Sequence, residues 1–166
     1  YAISTDGIAT ALQDSGSALV AAGNDFDKSV ALVTAANSVV QDPSKVGAGL
    51  RTIALRLRGT SAEELSSMGE DTEGLVETTS KLNSNIKSLT AVNGKAGVSL
   101  TDATGRVKDD FTFLLDLAGR WKEIGQADIE EGTNRQSKIL EDLAGEFLPE
   151  IYSNIYLRTY LIARAA

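Results

Sequence analysis

The side chains that could do chemistry in this 166-residue sequence are carboxylates, arginines and hydroxyls, because the chain has no His and no Cys. Without those two residue types it lacks the commonest general base and the commonest metal ligand. A Ser–His or Cys–His nucleophile therefore cannot be assembled within it. A carboxylate pair would still suffice for glycoside hydrolysis. The 23 Asp and Glu residues, however, are expected at helix caps, in turns and on polar helix faces, without the apolar surroundings that raise a pKa. Residues 69–74, GEDTEG, form an acidic, glycine-flanked stretch in which a hard cation could sit. The alternating ligands and closing Glu of an EF-hand loop are missing, so a solvated acidic turn is expected. Arg51, Arg56 and Arg58 are clustered. Arg51 and Arg58 share a helix face and Arg56 points elsewhere, so we expect them solvated, or paired with the acidic segment downstream, rather than gathered on an anion. No Gly-rich phosphate loop, HExxH or Gly-x-Ser-x-Gly motif occurs. The expectation is no enzyme, with no catalytic, cofactor-binding or metal-ligating residue and no cofactor.

Composition narrows the class further. Apolar residues make up 42% of the chain and aromatics only 5%, so a core would be built from Ala, Val, Leu and Ile. Such small residues let helices pack closely. The formal net charge of −7 disfavours specific nucleic-acid binding, which needs clustered Lys and Arg against phosphates. No apolar run approaches the roughly 20 residues of a spanning helix, and no signal peptide is visible. The one Met is Met68, so the chain reads as a piece of something longer.

The elements that would position these groups are helices. Pro43 and Pro149 can both sit at helix starts, and Gly23, Gly59, Gly69, Gly125 and Gly145 fall where helices could stop. The central stretch is NSVVQDPSKVGAGLRTIALRLRG, residues 37–59. Asp42 is placed to cap a helix with Pro43 at its first position. Val46, Leu50, Ile53 and Leu57 then form one apolar stripe, and Gly59 supplies a left-handed stop. Upstream, Ser4 or Thr5 opens a helix with Ile8, Leu12, Ser15 and Leu19 on one face, closed by Gly23. Asn24 is the predicted cap of a second helix whose stripe is Phe26, Val30, Val33 and Val40. Asn37 sits within that stripe and is expected to hydrogen-bond a neighbouring backbone group.

Downstream, Ser61 and Glu64 form a capping box. A helix from Thr78 carries Leu82, Ile86 and Leu89. Asn93-Gly94 signals a turn, and an ordered loop or small hairpin is expected over 97–107. A helix from about Asp109 presents Phe111, Leu114, Leu115, Ala118 and Trp121 and is predicted to break at Gly125, before a weaker helix with Ile129, Leu140 and Leu143. In the final segment, 147–166, Tyr152, Tyr156 and Tyr160 recur every four residues. Glu150, Arg158 and Arg164 interrupt its apolar run, so a packing helix is favoured over a membrane span. The resulting fold class is all-α: an array or bundle of five to seven short amphipathic helices, with a helical region 1–92, a turn or small hairpin 93–107 and a helical C-terminal region 108–166. The candidate packing and interaction residues are Val46, Leu50, Ile53, Leu57, Phe111, Trp121, Tyr152, Tyr156 and Tyr160.

Residues 24–89 resemble the central segment of tail tape measure proteins of long-tailed phages and prophages of Gram-positive bacteria. The matching strings are GNDFDKSVALVTAANSVVQDPSKVGAGLRTIALRLRG (23–59) and GEDTEGLVETTSKL (69–82). The most specific feature is the DP-x-x-VG-x-x-L…R-x-RG combination. Residues 8–19 fit the family's preceding helix, and 98–121 its continuation through a GV-x-[IL] stretch, a turn and a helix ending near a Trp. After that Trp, residues 127–145 depart from the family's Leu/Ala-rich pattern.

The resemblance implies a long, mostly helical chain packed inside the tail tube. Its length would set tube length during assembly, and it would leave ahead of DNA at infection. It implies as partners other copies of itself and tail tube and baseplate proteins, with host-envelope contact on ejection. It places the chain in the virion's tail tube lumen, and in the host cytoplasm during assembly. A stand-alone helical interaction module, an adaptor or secreted effector, is the alternative.

Overall fold

The structure, a computed structural model, describes residues 4–145. Among the described residues seven helices follow one another: α1 (Thr5–Ala21), α2 (Phe26–Val40), α3 (Pro43–Leu57), α4 (Ala62–Ser67), α5 (Thr79–Thr90), α6 (Asp110–Glu131) and α7 (Arg135–Ala144). The architecture is all-α, as the periodicity predicts; among the described residues the only β pairing is one antiparallel bridge, Thr101 to Val107.

Most helix starts are closed by the oxygen of a short polar side chain. Ser4 Oγ accepts from Gly7 N at 3.0 Å, Asp42 Oδ1 from Lys45 N at 3.3 Å and Ser61 Oγ from Glu64 N at 3.2 Å. Each satisfies a first-turn N–H that has no partner inside its own helix. The 93–107 region forms a tight turn. Asp102 N donates to Arg106 O at 2.8 Å, and Asp102 Oδ1 takes the N–H groups of Thr104 and Arg106.

Three local expectations are corrected. Asn24 does not cap α2; Asp25 does, its Oδ1 accepting from Lys28 N at 2.8 Å. Asn24 is buried and reaches across the fold, its Nδ2 donating to Leu19 O and its Oδ1 accepting from Phe111 N, both at 3.0 Å. It thereby supplies one of α6's missing N-terminal partners. Phe26 is 70% exposed, because α2 turns Ser29, Leu32, Val33 and Ala36 inward and leaves its opening residue outside. Finally, α6 does not break at Gly125 but runs to Glu131, stopping at Gly132 in the left-handed region. A Cβ at Gly125 would come within 2.8 Å of Gln136 Nε2, the movable end of a side chain that donates to Trp121 O at 3.0 Å.

One apolar core joins all seven helices, with Ala11, Leu32, Leu50, Leu65, Ile86, Leu114 and Ile139 drawn from them in turn. Its tightest seam is α1 against α3. A Cβ on Gly47 would sit 2.6 Å from the Ala11 carbonyl oxygen, so the two backbones touch where small residues face each other. Gly47→Ala should therefore destabilise the fold by about 1–2 kcal/mol: overpacking costs 1–3 kcal/mol and better helix propensity returns up to about 1. Urea unfolding checks this; an unchanged or raised midpoint would show that the seam has slack.

Candidate functional site

The stripe Val46, Leu50, Ile53 and Leu57 is 1–3% exposed along its length, and Trp121 is 5% exposed. Phe111 is half-buried against the same core. These six are thus brought together inside the chain, and none offers an open face. Tyr152, Tyr156 and Tyr160 lie outside the described residues.

The chemistry-bearing groups divide into three places. The first is Arg56, 1% exposed. It lies three residues after Ile53, so the helix that buries the stripe carries the guanidinium inward with it. Nη2 donates to Asp71 O at 2.9 Å and Glu73 O at 3.0 Å, and Nη1 to Glu141 O at 3.3 Å. The fork thus joins α3 to the 69–74 segment and to α7. That segment was expected to be a solvated turn. It is instead half-covered, and Glu70 holds Arg51 at 3.1 Å and accepts from Thr52 Oγ1 at 3.0 Å. Carbonyls of 71 and 73 that could have faced a cation face Arg56. Among the described residues no group of three or more acidic side chains is gathered as metal ligands would be.

The second place is the start of α6, where Asp109 and Asp110 adjoin. Burial pushes the Asp109 carboxyl up, but the Lys28 ammonium at 2.6 Å and the Thr112 N–H at 2.7 Å outweigh it and leave the pKa below its usual value. Lys28 is raised reciprocally, chiefly by that same bond. Asp110 behaves oppositely: burial, with the neighbouring Asp109 charge, pushes it up to about 8. Asp142 on α7 is also raised by burial, against the pull of Lys138. The expectation that no carboxylate has apolar surroundings is thus corrected for these two, whose helices carry them under the core. The signal was present for Asp110, since Phe113, Leu114 and Leu117 follow it at spacings three, four and seven on one face. Asp109 and Asp110 do not form an acid–base pair over an open cleft. Asp109 is committed to a cap and an ion pair, while Asp110 Oδ2 is sealed from solvent.

The third place is the α6–α7 corner. Asn134 makes no cap bond with its side chain. Asp128, from the preceding helix, accepts from Arg135 N at 2.9 Å and Gln136 N at 3.0 Å instead. Asn37 Oδ1 is buried without a hydrogen-bond partner, so the expected bond to a neighbouring backbone group is not made by that oxygen.

Open space is modest and mixed in character. A recess of about 280 Å³ lies between the ends of α1 and α3 and the start of α6, and one of about 560 Å³ between α4, α5 and residues 72–78. The first is lined mainly by small and apolar residues with Arg58, Lys108 and Asp110, and the second by Thr72, Glu77, Thr78 and Lys81 beside Leu75 and Val76. What the named side chains do is connect: Arg56, Asn24, Asp109 and Asp128 each tie a helix end to another element. No protein-family model, curated protein or solved structure matches this chain.

Proposed function

We propose that this chain is a structural segment of a phage tail tape measure protein, setting tail length during assembly and leaving the tail tube at DNA ejection. One observation carries the reading: apart from the exposed Arg58, the residues of the DP-x-x-VG-x-x-L…R-x-RG combination are spent on architecture. Asp42 caps α3 and Pro43 opens it. Val46, Leu50 and Arg56 are buried, Gly47 meets the α1 backbone, and Gly59 stops the helix in the left-handed region. A motif made of caps, close contacts and a buried cross-link is what a mechanical element requires, and it does not call for a reacting group. The partners in this reading are other copies of the chain and tube and baseplate proteins, with no specific nucleic-acid binding and with envelope contact on ejection. Because the faces of Val46–Leu57 and Phe111–Trp121 are closed in the folded segment, association through them follows only after helices separate.

A second reading, a stand-alone helical interaction module, is favoured by the single core that closes the described helices on one another. The two are separated by following the polypeptide in particles. Peptides of this sequence should be recovered from purified tails, within a chain several hundred residues longer, and should be lost from particles that have ejected their DNA. Recovery only as a free polypeptide of about this size, absent from particles, would favour the module.

A further inference from the structure

α6 begins where four other stretches converge. Ala22 follows α1, Leu57 ends α3, Thr79 opens α5 and Val107 closes the tight turn, and together with Asp110 they line the recess of about 280 Å³. Asp110 is the first residue of α6 and is 2% exposed; its Oδ2 has no hydrogen-bond partner. Other charges are near but engaged or turned to water. Arg58 from α3 lines the recess and is exposed, Lys108 from the turn pairs with Asp116 at 2.8 Å, and Asp109 pairs with Lys28. From α1 and its end only Ala21, Ala22 and Gly23 face the recess, and from α5 only Thr79. Were the carboxylate charged in this seam, its Oδ2 would lack both water and a partner, which favours holding the proton.

We propose that Asp110 is a proton-operated latch on the N-terminal end of α6. With its proton it lies closed over the ends of α1 and α3. Without it, the stranded charge drives the end of α6 and the turn before it open to water. The latch belongs to the folded chain and does not depend on the tape-measure reading.

The direction with pH follows from linkage. Closed, the carboxyl holds its proton up to about pH 8; opened, it titrates at its ordinary value of 3.8. The closed state therefore binds more protons between those two values. Its full stability is present below the ordinary value, is lost as pH rises toward about 8, and changes no further above it, the opening equilibrium growing about tenfold per pH unit. With no His and no Cys in the chain, the interval from pH 6 to 8 is free of imidazole and thiol titrations. The other raised carboxyl, Asp142, sits on α7 and is read separately.

The test is amide hydrogen exchange of the 166-residue chain between pH 6 and 9, expressed as protection factors so that the intrinsic pH dependence of exchange cancels. Protection in the first turns of α6 and in residues 101–108 should fall about tenfold per unit up to about pH 8 and then level off. Asp110→Asn should flatten the profile, and Asp142→Asn should leave it unchanged. A flat wild-type profile in that region overturns the latch whatever the variants do. So does a slope that survives in folded Asp110→Asn.

Discussion

Replacing Arg56 with Ala should cost about 3–5 kcal/mol of folding stability, because a buried group holding several acceptors is removed and those acceptors are left without it. From α3 the guanidinium donates to the carbonyls of Asp71 and Glu73 in one stretch and of Glu141 in another, so it joins three stretches of chain. Truncation leaves partly buried oxygens short of a donor and opens a cavity where one of the largest fully buried side chains stood. Urea unfolding with a matched circular-dichroism probe measures the loss. Arg56→Lys should recover less than half of it, since an ammonium on a flexible stem cannot present the planar fork that reaches both sides. A loss under about 1 kcal/mol for Arg56→Ala would mean that the three stretches are held by apolar contact and that the arginine is incidental.

Gly97→Ala should also be damaging, by about 3 kcal/mol, the upper end of what overpacking usually costs, for a steric reason. An added Cβ would overlap the backbone carbonyl of Lys87 in α5, and backbone cannot swing aside as a long side chain does. Residues 97–100 lie against α5 because Val98 N donates to Thr90 Oγ1 at 2.6 Å and Leu100 N to Asn83 Oδ1 at 2.8 Å. Thr90 Oγ1 in turn donates to Ile86 O at 2.7 Å. Lifting this strip off α5 to make room for a methyl group would forfeit these bonds and pull Val98 and Leu100 out of the core, where each is under 9% exposed. A thermal melt checks the total. Hydrogen exchange at Val98 and Leu100 checks the locality, with protection collapsing there before it does in α1 or α3. An Ala variant as stable as the parent would show that the contact relaxes freely.

These outcomes show what the residues made legible. Helix identity and most starts could be read because caps are local: Ser4, Asp42, Ser61 and Thr78 each bind an N–H three residues on. The stripe on α3 was legible because Val46, Leu50, Ile53 and Leu57 are all buried, but residues 53–57 are buried all round, which periodicity does not foretell. What could not be read was decided by partners distant in sequence. Asn24 looked like a cap for the helix beside it and caps one 87 residues away. Gly125 looked like a helix stop because a glycine's tolerance for close approach and its tolerance for a left-handed turn leave the same letter in the sequence. Arg56 was legible as lying off the Arg51–Arg58 face, but its burial needed the 69–74 segment and α7 to arrive over it. Asp110 was missed by treating every carboxylate as a surface group.

The same distinction governs function. The proposed tape-measure reading rests on residues that serve as caps, close contacts and a buried cross-link, so tail length is the quantity that tests it. The most direct measurement is the length of tails, by electron microscopy, on particles whose parent gene carries an in-frame deletion of residues 5–145. A ruler role predicts uniformly shorter tails, by as much as about 1.5 Å per residue removed where the helices lie end to end in the tube. Tails of unchanged length on such particles would contradict it.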